Sequence, residues 1–169
     1  SIILDFLTQV QPFVKNDDHL QSQFIRTCFS SLGPESSKLI ADCIGDAKEK
    51  MSITALSDVA TAIVRLDPNE TNIGFAVNLI DHLYESFISC FDEIDDWSII
   101  NDDTIEIIEM VDSYLTLLLA VISNVSDGFL QKIFEFVSNI FNSESKYFCY
   151  QLFIKLFSFI NHASKTFPD

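Results

Sequence analysis

Apolar residues recur every three or four positions along almost the whole chain, the spacing that puts them on one side of a helix. Residues 2–14 carry Ile3, Phe6, Leu7, Val10 and Val14, and residues 18–32 carry Leu20, Phe24, Ile25, Cys28 and Leu32 after a natural N-cap at Asp17 or Asp18. The stretch "GPES" at 33–36 ends one helix and starts a short, weak one over 35–45, with Pro34 near its first turn. Residues 50–66 show Ile53, Leu56, Val59, Ala60, Ile63 and Val64 before the break "LDPNETN". Residues 73–91 give the cleanest stripe: Ile73, Ala76, Val77, Ile80, Leu83, Tyr84, Phe87, Ile88 and Phe91. Further stripes run through 103–123 (Ile108, Val111, Leu115, Leu118, Leu119, Ile122), 127–141 (Leu130, Ile133, Phe134, Val137, Ile140, Phe141) and 144–162 (Phe148, Leu152, Leu156, Phe159, Ile160).

The pattern predicts about eight helices joined mostly by short polar links. Asp103, Asp127 and Ser143 stand at predicted helix starts, where a side-chain oxygen satisfies free backbone N–H groups. Several helices are apolar on more than one face, notably 144–160, and such helices are expected between neighbours on both sides. Taken in pairs they make units of roughly 35 to 50 residues, the length of helical-pair repeats, without a strict internal sequence repeat. The fold class read from this is all-α: a right-handed stack of about four antiparallel helix pairs, HEAT- or armadillo-like, as one segment over 1–169. A compact helical bundle is the other architecture the periods allow.

Composition narrows the class. Hydrophobic residues make up 48% of the 169, enough to build a sizeable core and to argue against disorder. Four glycines and four prolines are too few for the turns of a many-stranded sheet protein. Cys28, Cys43, Cys90 and Cys149 are far apart and form no CxxC pair, so they read as reduced thiols in a reducing compartment. The sequons at Asn69 and Asn124 matter only in a secreted protein, and no signal peptide is visible. The first residues already read as helix interior, so a longer chain, of which this is a fragment, is expected. No apolar run reaches the length of a membrane span.

No reaction is written into the chain. His19, His82 and His162 fall on different helices with no ligand set around them, and no P-loop, GxGxxG, HExxH or nucleophile elbow occurs. No catalytic residue, cofactor or metal is therefore assigned. An EF-hand loop started at Asp92 puts Ile94 where an oxygen ligand is needed and Trp97 where glycine is needed.

The charge distribution is the informative feature. The formal charge is −15, and between Leu66 and Gln131 there are fourteen Asp or Glu and no Lys or Arg. The remaining segments hold eleven acids against ten bases, close to neutral. Such a surface repels nucleic acid and anionic membrane and attracts basic partners. The densest part is "FDEIDDWSIINDDTIEIIE" at 91–109, which yields the candidate partner-binding residues Asp92, Glu93, Asp95, Asp96, Trp97, Asp102, Asp103, Glu106 and Glu109. Asp102 and Asp103 are expected to cap the following helix, and Glu106 to sit in its first turn, where the dipole favours it. Asp92, Glu93, Asp95 and Asp96 follow a helix C-terminus, where negative charge is disfavoured, and no local role is expected for them. Trp97 either stands out as an anchor for a partner or pins the loop as a half-buried indole.

The stretches 73–91, 103–123, "FLQKIFEFVSNIF" (129–141) and "YFCYQLFIKLFSFI" (147–160), with the link between the first two, resemble the HEAT-like helix pairs of the importin-β (karyopherin) superfamily, particularly its exportin-like and transportin-like members. "MSITALSDVATAIVRLDP" (51–68) is similar to the small-residue inner helices of those repeats, with Ala55, Ala60 and Ala62 allowing close packing. The resemblance implies a non-enzymatic piece of a flexible solenoid that meets basic cargo or the small GTPase Ran through acidic loops and helices, in the cytoplasm, the nucleus or both. Two other binding roles fit the same residues: a HEAT-like scaffold of another assembly, and a compact adaptor that holds a partner helix in an apolar groove.

Overall fold

The structure, a computed structural model, describes residues 2–14, 18–32, 36, 39–40, 50–142 and 149–167. The expected helix at 35–45, the stretch 33–35 with Pro34, and Asp17, Cys43, Ser143 and Phe148 lie wholly or largely outside the described residues. Among the described residues the chain is all-helical, with no strand. Its α-helices are α1 (Ile2–Val14), α2 (Asp18–Leu32), α3 (Lys50–Leu66), α4 (Glu70–Ser89), α5 (Asp102–Val121), α6 (Asp127–Asn142) and α7 (Tyr150–Thr166). Single 3₁₀ turns follow α4, at Cys90–Glu93, and α5, at Ile122–Asn124.

Helix boundaries follow local hydrogen bonding rather than the apolar stripe alone. Helix α4 begins at Glu70, ahead of its first apolar residue, because Asn69 Oδ1 accepts the Asn72 N–H at 2.9 Å. Asp103 and Asp102 were expected to cap α5, but Asn101 does so. Its Oδ1 accepts the Thr104 N–H at 2.9 Å, and Thr104 Oγ1 accepts the Asn101 N–H at 2.7 Å. That reciprocal pair satisfies two orphan donors with neutral groups and leaves the two aspartates exposed in the first turn. At α6 the Ser126 hydroxyl accepts the Phe129 N–H at 3.3 Å, one residue before the expected Asp127.

Helix α5 is the inner element. Ile107, Ile108, Met110, Val111, Tyr114, Leu115, Leu117, Leu118 and Val121 are all buried, covering more than one side of the helix. It packs most extensively on α3 and also against α4 and α7, while α3 in turn packs on α2 and α4. The contacts α2–α3, α3–α5 and α5–α7 form one continuous row. Helix α6 lies against α4 through the ring pairs Tyr84–Phe129 and Phe87–Phe136, and against α7 through Phe134–Phe159 and Phe141–Phe153. Small residues on α3, Ala55 and Ala60, are fully buried and permit the close approach of its neighbours. The sandwiched helix is thus α5 rather than α7, whose second apolar face stays open at Tyr150, Ile154 and Phe157.

Cys28, Cys90 and Cys149 are buried thiols. Among the described residues, no helix is long and apolar enough to cross a membrane.

One buried polar link ties α4 to α5. The Tyr114 hydroxyl donates to the Ile80 carbonyl at 2.8 Å, from a side chain that is fully enclosed. Burial pushes this phenol well above its ordinary value, with Tyr84 and Asp81 adding in the same direction. A raised folded-state value gives stability that is complete below the unfolded phenol value of about 10 and is lost as pH rises beyond it. Replacing Tyr114 by Phe removes one net hydrogen bond, a loss of about 1 kcal/mol at neutral pH. It also removes this residue's share of the alkaline decline. Urea midpoints measured from pH 8 to pH 11 check both, and an unchanged alkaline slope in Tyr114→Phe would contradict the assignment.

Candidate functional site

The acidic run begins where α4 loses its regular hydrogen bonding. The last turn tightens into the 3₁₀ segment Cys90–Glu93, which turns Cys90 and Phe91 inward and leaves Asp92 and Glu93 exposed. The link to α5 then alternates. Ile94 and Trp97 point into the core, while Asp95, Asp96, Ser98, Ile99 and Ile100 face solvent. Carboxylates cannot be buried without partners, so Ile94 and Trp97 supply the inward side of this link and its acids stay out, while Ile99 and Ile100 remain exposed.

Trp97, the only tryptophan, is 1% exposed and stacks on Phe91, with ring centroids 5.4 Å apart. Phe91 meets Phe136 of α6 edge-on at 5.0 Å and Phe87 of α4 at 5.6 Å. Phe87 lies parallel to Tyr114 of α5 at 4.2 Å. The result is a continuous run of rings from α5 through α4 to the link. This overturns Trp97 as an exposed anchor for a partner. The indole is fully rather than half buried, and it fastens the link.

Asp96 has a local role that its position after a helix end conceals. Its Oδ1 accepts the Ser98 hydroxyl at 2.6 Å and the Ser98 N–H at 2.9 Å, closing a turn directly over Trp97. The Ser98 hydroxyl and then its backbone N–H hold the Asp96 carboxyl below the ordinary aspartate value. The expectation that all four loop acids lack a structural task therefore fails for Asp96.

The nine candidates divide into two sets. Asp92, Glu93, Asp95 and Asp96 lie on the 3₁₀ turn and link, and Asp102 and Asp103 on the first turn of α5, all exposed along one stretch of chain, the acidic edge. Glu106 and Glu109 sit farther along α5 and line a shallow recess of about 90 Å³ with Arg26 of α2 and Thr54 of α3. One turn on, Asp112 pairs with Lys155 of α7 at 2.9 Å. Bases from distant parts of the chain thus stand against the α5 acids, which the linear count between Leu66 and Gln131 does not reveal. Lys132 of α6 stands instead over a ring of α4, 6.0 Å from the centroid of Tyr84. The edge set is the part of the acidic run that faces outward on a fixed support.

Among the described residues no group of three His, Cys, Asp or Glu is arranged to hold a metal ion. No protein-family model, curated protein or solved structure matches the chain.

The energetic weight of the indole is measurable. Trp97→Ala removes a fully enclosed ring and leaves a cavity beside Phe91, with an expected loss of about 3–5 kcal/mol in unfolding free energy. A loss below about 1 kcal/mol in urea titrations, the size of an ordinary surface change, would show that the link is not fastened this way.

Proposed function

We propose that the chain is a non-enzymatic protein-binding segment of a helical-repeat scaffold, and that it receives a basic protein or peptide at the acidic edge formed by the α4–α5 link. The observation that carries this reading is the display of Asp92, Glu93, Asp95, Asp96, Asp102 and Asp103 on a link whose tryptophan is buried. Acids held on a rigid support are preorganised, so a partner gains from the field without having to order the loop. Like charges so close together cost stability by mutual repulsion, and a binding role accounts for their retention.

The scaffold reading is supported by the row α3–α5–α7, in which every second helix stacks on the last as alternate helices of a solenoid do. Within that reading the chain is a segment of a nuclear transport receptor of the HEAT-repeat type, with basic cargo or Ran as its partner in the cytoplasm or nucleus. The same row serves a HEAT-like scaffold of a different assembly equally well. Capture with Ran in its GTP-bound and GDP-bound forms separates the two, since only a transport receptor distinguishes them.

The edge itself is tested with a labelled arginine- and lysine-rich peptide and the variant Asp92→Asn, Glu93→Gln, Asp95→Asn, Asp96→Asn. Asparagine at 96 keeps an oxygen for the Ser98 turn, so the variant folds with equal or slightly higher stability. Four exposed charge contacts at a few tenths of a kcal/mol each predict a loss of affinity on the order of tenfold at low salt, with a flatter salt dependence. Unchanged affinity at low salt would reduce the edge to a solvated loop.

A further inference from the structure

The row of packed helices has two ends, and both are apolar and open. At one end α1 turns Leu7 and Val14 inward but leaves Ile2, Phe6 and Phe13 on its outer side, with Phe6 62% and Phe13 83% exposed. These positions fall at i, i+4 and i+11, a single line along the helix roughly 16 Å long. At the other end α6 and α7 leave a groove of about 450 Å³ between them, with the apolar floor Leu130, Phe134, Ile160, Ala163 and Phe167. The lining positions on each helix, 127/130/131/134 and 160/163/164/167, repeat the i, i+3, i+4, i+7 pattern, so the groove follows two turns of both helices. Phe157, 59% exposed, and Ile154 extend the apolar surface along α7.

We propose that these two surfaces are the halves of one contact: α1 of one copy lies in the α6–α7 groove of a second copy, so that molecules associate head to tail. Three observations on the chain itself favour this occupant. The stripe and the groove match in kind, a single helix against a two-helix cleft, which is the helix-in-groove mode of recognition. The molecule already packs a helix through phenylalanines at this spacing, where α6 places Phe129 and Phe136, seven residues apart, onto Tyr84 and Phe87 of α4 and Phe91 of the turn that follows it. Phe6 and Phe13 of α1 carry the same seven-residue spacing.

The third observation is where the charge lies. Fourteen acids and no bases fall between Leu66 and Gln131, whereas residues 1–65 carry eight acids and six bases and residues 132–169 three acids and four bases. The α1 stripe belongs to the first of the near-neutral segments, and Phe134, Ile160, Ala163, Ser164 and Phe167 of the groove to the second, with Asp127 the one acid of the middle segment on the groove lining. End-to-end contact therefore keeps most of the acidic middles of two copies apart, while a side-by-side dimer would bring them together. At the contact itself, exposed Asp5 beside Phe6 and exposed Lys165 beside Ser164 are of opposite sign. A contact between two different surfaces is heterologous, and it propagates into longer assemblies unless the rotation closes a ring. The proposal is independent of the acidic edge and of any basic partner.

The test is sedimentation equilibrium of the 169-residue chain over a wide range of concentration. The weight-average mass should rise above the 19.2 kDa of one chain and pass beyond that of a dimer. Two variants then separate the surfaces: Phe6→Asp with Phe13→Asp on α1, and Phe134→Asp with Phe157→Asp at the groove. All four side chains are exposed, so circular dichroism should show both variants folded. Each variant alone should remain at the mass of one chain. Mixed in equal amounts, they should form a complex of two chains and nothing larger, because only one intact stripe and one intact groove can meet. A wild-type chain that stays monomeric would overturn the proposal and leave both faces to a different polypeptide. Association that survives in either variant, or a mixture without the two-chain complex, would overturn it as well.

Discussion

Phe87 sits between Tyr114 on one side and Phe91 on the other, and through them it ties α5 to α4 and α4 to the acidic link. Phe136 of α6 closes on the same rings, and Trp97 ends the run. Each such pair contributes about 0.5–1.5 kcal/mol beyond the area it buries. The geometric consequence is larger than the sum. Four elements that meet at one aromatic cluster cannot shift independently, so the position of every exposed carboxylate on the link is set by the core. A loop this rich in aspartate would otherwise spread under its own repulsion.

The same fixing explains which parts of the molecule could be read from the chain. Stripes with a clear three-to-four spacing gave helices with nearly the boundaries found: α1, α2 and α3 fall on the expected residues. Boundaries moved where a short polar side chain took over the backbone donors, as Asn69 and Asn101 do, because capping is decided by one oxygen rather than by the apolar period. Thr104, three residues after Asn101, is the sequence signal of that cap, masked by the two aspartates that stand between them.

The exposure of the acidic residues was legible in the sequence, and the surroundings of Trp97, Asp96 and the α5 acids were not, for one physical reason. Sequence reports charge along the chain, whereas electrostatics acts through space. Arg26, Lys132 and Lys155 are remote in sequence from the acids and rings they stand against. Likewise, a tryptophan amid four aspartates looks like a surface residue, yet Ile94 and Trp97, three residues apart, mark the inward side of the turn. The extra apolar face on α7 was visible in the sequence, but which helix would be sandwiched was not, since that depends on how α3 and α5 stack.

The central claim is that a buried indole holds the acidic edge to the aromatic core. Trp97 is the only tryptophan, so its fluorescence reports on the link alone. Acrylamide quenching and emission wavelength, followed through urea unfolding alongside far-ultraviolet circular dichroism, test the claim directly. The account predicts blue-shifted emission and weak quenching in the native protein, both lost in the same transition as the helical signal. Emission typical of a water-exposed indole before unfolding, or a fluorescence change that precedes the loss of helix, would contradict it.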